Sequence, residues 1–339
     1  MTADLVLVET AARLFRDVVT FDEIERAEET GWSTATWAAL SEAGFAWVGI
    51  DDAKGGSGGS LHDLAALLTA AGRSAAPVPL AETALVGGWM LAEAGLPLPD
   101  GPLSALDGHA EVHDGRLVAA GMAAWGRAAT RIVVPAGERV FSIEPGRCEM
   151  RAGANLAGEP HDHVRVDLAL TDVEHGTVDG LDAPAVARRR GALSRVLLSA
   201  GALDAVARMT VDYAHQRHQF GKPIASFQAV QAHLVTATQC AVVAQMAADV
   251  AVRAVAAGHG AFEVAAARVV LDGAITDGTR AAHQAHGAMG VTREYPLHQL
   301  TRRLWAWRHE WGTTSAWRRT VGTIVGERGA DGLFPLIAS

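Results

Sequence analysis

Three short stretches in the second half of the chain gather residues that bind anions or move protons. In Tyr213-Ala-His-Gln-Arg-His-Gln-Phe-Gly-Lys-Pro-Ile-Ala-Ser-Phe-Gln228, Gly221 and Pro223 close one helix and Ser226 is placed to cap the next. Arg217 then sits at a helix end beside a tight corner, where a guanidinium suits bidentate phosphate binding. A solvated arginine on an ordinary helical hairpin is the plainer alternative. In Gln284-Ala-His-Gly-Ala-Met-Gly290, two glycines allow close backbone approach to a ligand, or simply end a helix. In His309-Glu-Trp-Gly-Thr-Thr-Ser315, Thr313 or Thr314 can cap the last helix and leave free N–H groups facing an anion.

The elements that position these stretches differ along the chain. Residues 1–95 read as a helical domain: Ala11, Leu14, Phe15, Val18 and Val19 recur at helical spacing, and Ser33 precedes Trp37 and Leu40 as an N-cap. A glycine-rich stretch, Gly55 to Gly59, lacks the Lys-Ser/Thr ending of a phosphate-binding loop and reads as flexible. Helices follow over Leu61 to Ala71 and near Leu80 to Ala94. Residues 96–181 change to short β-branched runs between turns, of which His163-Val-Arg-Val-Asp-Leu-Ala-Leu170 alternates like a half-buried strand. They predict a small antiparallel β domain. Residues 182–339 carry long alanine-rich patterns: Ser194 to Gln216, Ser226 to Ala257, Phe262 to Ala285, Tyr295 to Arg308, and a fifth after Gly312. Long helices with short connections make an up-and-down bundle. The expected fold is mainly α with a small central β domain.

Composition narrows the function classes. The chain has 29 Lys+Arg against 38 Asp+Glu, a net charge of −9, which argues against nucleic-acid binding. Cys148 and Cys240 are too few for a disulfide scaffold and fit a reducing cytoplasm. Neither an export signal nor an apolar run of about 20 residues stands out, so no membrane is expected. His161-Asp-His163, in a turn leading into a strand, lacks further ligands for a metal. His283 and His286 have metal-pair spacing but overlap the glycine-bearing stretch, where a cofactor-edge role fits better, so no metal is expected.

Taken together and in this order, the stretches resemble the acyl-CoA dehydrogenase family of flavoproteins. Tyr213, Arg217, Gln219, Phe220, Gly221, Pro223, Ile224, Phe227 and Gln228 meet one family pattern, and Gln284, Gly287 and Gly290 meet a second, with Ala288 replacing a glycine. Trp37 with Gly44, then Gly55-Gly56-Ser57-Gly58 and Gly72-Arg-Ser-Ala-Ala-Pro-Val-Pro-Leu80, look like its N-terminal helical domain. The resemblance implies an N-terminal helical domain, a β-barrel or sandwich, and a C-terminal four-helix bundle. It implies FAD held non-covalently at a subunit interface. Arg217, Gln219, Phe220 and Gln228 of one subunit would meet the pyrophosphate and adenosine. Gln284, Ala285, His286, Gly287 and Ala288 of the neighbouring subunit would run along the same pyrophosphate and ribose. Thr313 would lie near the adenosine end and Trp125 beside the flavin. The reaction implied takes an α-proton from an acyl-CoA thioester while a hydride passes from Cβ to flavin N5, with an electron-transfer flavoprotein as acceptor.

The chain also departs from that pattern. The family base is a Glu directly before Gly-Thr; here Gly312 and Thr313 follow Trp311, and an indole has no lone pair to take a proton. Glu310, one residue early, is the remaining candidate base. The alternative base position on the first bundle helix falls near Gly191. Arg127 stands where a Ser or Thr would contact the flavin, and the family's Thr-x-Pro-x-x-Gly-Ser-Asp stretch has no match. Two expectations follow: an FAD-dependent acyl-CoA dehydrogenase using Glu310, or a non-catalytic subunit that completes the FAD site of a related chain. The partner is accordingly a second copy or a related subunit.

Overall fold

The computed structural model describes residues 3–338. Four helices come first, α1 (Leu5–Val18), α2 (Phe21–Thr30), α3 (Thr34–Glu42) and α4 (Leu61–Arg73), and a π-helix over Ala81–Gly88 runs into the short α5 (Trp89–Glu93). Side-chain caps set their starts: Ser33 Oγ accepts the Thr36 amide at 3.0 Å, and Ser60 with Asp63 forms a reciprocal capping box. The Gly55–Gly59 stretch is a pinned turn rather than a flexible loop, because Gly58 donates to the Ile50 carbonyl at 2.8 Å.

Seven strands follow: β1 (Leu103–His113), β2 (Arg116–Ala124), β3 (Arg131–Ala136), β4 (Arg139–Ile143), β5 (Glu149–Arg151), β6 (His161–Ala169) and β7 (Glu174–Thr177). They form one sheet in the order β5-β6-β2-β1-β3-β4-β7. The sheet is mixed, not purely antiparallel. β2 folds back on one edge of β1, and the turn over Trp125–Thr130 carries the chain across to the other edge, so β3 pairs parallel to β1 from Leu103↔Arg131. Leu117, Ile132, Phe141 and Val164 form the core of the sheet. His161 and His163 belong to β6, not to a turn, and the buried Asp162 between them is spent on Arg127 and the Gly153 amide.

The bundle is α6 (Ala183–Gln216), α7 (Gln228–Ala256), α8 (Ala261–His286), α9 (Leu297–Trp307) and α10 (Thr314–Ala338, broken at Gly329). Helix α6 begins well before Ser194 because Asp182 caps it, accepting the Ala185 amide at 3.1 Å. It also crosses α4 at backbone contact: a Cβ on Gly201 would lie 1.9 Å from the Thr69 carbonyl oxygen. A two-strand hairpin, β8 (His218–Gln219) and β9 (Lys222–Pro223), links α6 to α7. Ser226 does not cap α7; its hydroxyl donates to the Pro223 carbonyl at 2.7 Å, within a 3₁₀ turn that delays the helix start. Helix α7 is long and apolar enough, by length and composition alone, to cross a membrane, with a mean hydropathy of 1.4. The expectation that no such run exists therefore does not hold. Its alanines Ala237, Ala241, Ala244, Ala248 and Ala251 are buried in the bundle. Since α6 and α8 both run antiparallel to α7, their C-terminal ends lie at the same end of the bundle.

Candidate functional site

The outward-facing half of the site stands at that shared end. Tyr213, in the last turn of α6, stacks on His286, the last residue of α8, with ring centroids 4.4 Å apart, and Tyr295 closes on His286 at 4.9 Å. The Arg217 corner and the Gly287 corner are thus neighbours on one chain. The expectation that two chains must bring them together is corrected by the parallel course of α6 and α8. Ala285 and His286 face inward; His286 is 3% exposed, and its Nδ1 lies 2.8 Å from the Ala282 carbonyl. They pack the corner and do not line an open surface. Gln284, Gly287 and Ala288 face solvent, as do Arg217, Gln219 and Gln228. Among the described residues the side chains of Arg217, Gln219, Gln228 and Gln284 make no hydrogen bond or ion pair. Phe220, held at φ 52° at the hairpin tip, is 90% exposed. An unspent guanidinium, three free amides and a bare aromatic ring form a surface that lacks its partner.

The inward half is filled. Trp311 occupies a left-handed turn at φ 56°, with its amide donating to Asp107 Oδ2 at 2.9 Å. Its indole lies flat against Gly191: a Cβ there would sit 2.0 Å from Trp311 Cδ2. The two positions where the sequence comparison sought a base are therefore packed against each other. Gly191→Ala should destabilise the fold by about 1–3 kcal/mol through overpacking, read as a lower midpoint of urea unfolding with unchanged slope. A midpoint equal to that of the parent would contradict the packing.

Glu310 is 5% exposed and both its carboxylate oxygens are taken. Arg195 Nε donates to Oε2 at 2.7 Å and Asn155 Nδ2 to Oε1 at 3.0 Å. The other side of the Arg195 guanidinium bonds Glu82 on the π-helix. Burial works against ionisation of Glu310, but Arg195, aided by His161 and the Asn155 amide, holds its carboxyl below the ordinary range. For Glu82 burial prevails over the same guanidinium and its carboxyl is raised. The loop is tied down from below as well, because Arg268 donates to the carbonyls of Trp307, Arg308, Glu310 and Gly312. A carboxylate with both oxygens bonded, a depressed affinity for protons and no open face is poorly suited to be a base. Glu310 serves here as the counter-ion of a buried arginine.

Two further expected contacts are also spent. Trp125 is 5% exposed in a left-handed turn, with its amide bonded to the Pro160 carbonyl at 2.8 Å. Thr313 Oγ1 accepts the Ala316 amide at 3.3 Å and so caps α10. Sequence reasoning passed over Arg195, Glu82, Asn155, Arg268 and Asp107. A signal existed for two of them: Glu82 and Arg195 each interrupt an otherwise apolar helical run, and a charge in such a run calls for a buried partner.

Comparison with known proteins agrees with this fold. Family models of the acyl-CoA dehydrogenase N-terminal and C-terminal domains match residues 3–97 and 180–325. The acyl-CoA dehydrogenase FadE27 of Mycobacterium tuberculosis is 28% identical, over 82% of this chain and 84% of its own. Among solved structures, the ChsE4–ChsE5 complex of Mycobacterium tuberculosis matches with a TM-score of 0.82 at 21% identity, covering 96% of this chain and 97% of that one. Butyryl-CoA dehydrogenase of Megasphaera elsdenii matches with a TM-score of 0.80 at 16% identity, covering 96% and 99%.

Proposed function

Because the chain belongs to the acyl-CoA dehydrogenase family, whose members oxidise acyl-CoA thioesters, we propose that it is the non-catalytic subunit of a hetero-oligomer. In this reading it completes the FAD site of a related chain that carries the base. One observation carries the reading: the Trp311 indole fills the space over Gly191, while Glu310 is locked to Arg195. The residues present fit an FAD diphosphate on the outward side, where Arg217, Gln219, Gln228 and Gln284 hold unspent donors and the backbone at Gly287 and Ala288 is open. On the inward side Trp125, Arg127 and Thr313 are committed to protein partners. Bound FAD supplies the hydride acceptor. This chain's part is to grip the diphosphate through Arg217 and to cover one side of the cofactor from solvent through Phe220. A docking face is at hand on α7, where Val235, Val242, Val243, Met246 and Val250 are exposed. One of the structural relatives is itself a complex of two named chains. An acyl-CoA substrate and an electron-transfer flavoprotein as acceptor complete the proposal, in the cytoplasm.

The test is a flavin spectrum. Purified alone, the chain is expected to be colourless. Co-purified with a base-bearing family chain, it should give a yellow assembly that an acyl-CoA bleaches under anaerobic conditions. Glu310→Gln in that assembly should leave the bleaching rate per bound flavin unchanged. A yellow homo-oligomer bleached by acyl-CoA, and silenced by Glu310→Gln, would return the catalytic role to this chain.

A further inference from the structure

Helices α1, α4 and α7 enclose a cavity of about 680 Å³, with Leu197 of α6 at its base. Small-molecule sites run to roughly 300–1,000 Å³. The cavity shares no residue with the Arg217 surface or with the loop over Gly191. Short side chains make the room: Ala65, Ala66 and Ala70 of α4 and Ala12 of α1 line it where larger residues would fill it. Ala65, Ala70, Leu197 and Val252 are buried and form a wholly aliphatic floor. Arg73, Asp249 and Arg253 are exposed and stand at the mouth.

The polar groups of the lining divide into engaged and free. Thr69 donates its hydroxyl to the Ala65 carbonyl at 2.8 Å, and the Gln245 amide donates to Asp249 at 2.8 Å. Arg73 Nε donates to Asp204 at 2.7 Å, which leaves its two terminal nitrogens without a bond among the described residues. The Arg253 side chain makes no hydrogen bond or ion pair among them. His62 Nδ1, in the same lining, is enclosed and has no partner there. Two guanidinium groups with free donors thus border an aliphatic floor, against one carboxylate that is already bonded. On α7 the lining residues Gln245, Asp249, Val252 and Arg253 are turned roughly a quarter of a circle from the exposed stripe of Val242, Val243, Met246 and Val250, at about 100° per residue.

We propose that this cavity binds an aliphatic carboxylate of medium length, with its chain on the alanine-lined floor and its acid on Arg253 and the free end of Arg73. The chain gains by leaving water, and the carboxylate offers two oxygens to a guanidinium fork. A neutral chain of the same length forgoes the fork, and an ammonium meets like charge at the mouth. The site belongs to a single chain. Its test needs neither a partner subunit nor FAD, so its outcome is separate from that of the subunit reading.

Calorimetric titration of the full chain with decanoate should show saturable binding of one molecule per chain. The thermal midpoint should rise with decanoate concentration, as it does for any ligand held by the native state. Acetate, 1-decanol and decylamine should each bind about tenfold more weakly or worse, because each lacks either the chain or the acid. Arg253→Met, at an exposed side chain without a protein partner, should weaken decanoate about tenfold while leaving the midpoint of the unliganded chain in place, with Arg253→Lys in between. Ala66→Phe, at a half-buried position, should abolish binding by filling the cavity. No saturable response to decanoate, equal binding of 1-decanol, or binding unchanged in Arg253→Met and Ala66→Phe would overturn the proposal.

Discussion

Replacing Arg195 by Met should cost the fold about 3–5 kcal/mol at neutral pH, the amount expected when a buried ion pair loses one partner. Arg195 and Glu82 are each 2% exposed and Glu310 is 5% exposed, so water cannot take over the role of the lost guanidinium. Two carboxylates would then face each other in a dry interior. The pH dependence follows from the shifts in the intact protein. The carboxyl of Glu310 is held below its ordinary 4.5, so its share of stability is present above that value and is lost as pH falls through the depressed one. Without the arginine, burial raises both acids, since only His161 and the Asn155 amide still oppose it at Glu310. Their cost then appears as pH climbs above 4.5, and the variant's deficit should narrow on acidification below it. Removing the acids together with the arginine, as in Glu82→Leu with Arg195→Met and Glu310→Met, should recover most of the loss, since an apolar replacement of a whole buried network is often neutral. Urea titrations at neutral and acid pH measure all of this. A single variant as stable as the parent at pH 7 would show that the network contributes nothing.

The second large effect concerns the outward surface. In the two-chain assembly, Arg217→Ala should weaken FAD retention about 10- to 100-fold, the range expected for losing a charge-assisted bond to a phosphate. The isolated chain should keep its stability to within about 0.5 kcal/mol, because Arg217 is exposed and its side chain has no protein partner. Only the backbone of Arg217 supports the fold, donating to the Tyr213 carbonyl and accepting from the Ile224 amide, each at 2.8 Å. Arg217→Lys should fall between, since an ammonium keeps the charge but not the planar fork. Equal flavin retention in all three forms, measured by flavin release on dilution, would remove Arg217 from the cofactor site. Taken together, the two substitutions separate the roles of Arg195, buried and structural, and Arg217, exposed and poised for a ligand.

Much of this molecule was readable before any coordinates. Alanine-rich periodicity placed the bundle helices to within a turn at most ends. The exception is the start of α6, where the cap at Asp182 lies beyond the apolar pattern that marks the helix. The Arg217 and Gln284 stretches were also legible, because their glycines, prolines and polar residues act through local backbone geometry. Trp311 in place of a base could be read by residue type alone. What the indole does there could not, because Gly191 lies far away along the chain and only the packing of the C-terminal loop on α6 joins them. The same holds for Glu310. Its neighbours in sequence suggest a proton acceptor, whereas Arg195, 115 residues away, and Asn155, 155 residues away, make it a counter-ion. Residue type and spacing determined which elements form and which groups could do chemistry. Tertiary structure decided which of those groups remain free to do it, since a charge or an aromatic ring acquires its role from whatever long-range contact leaves it open or closes it off.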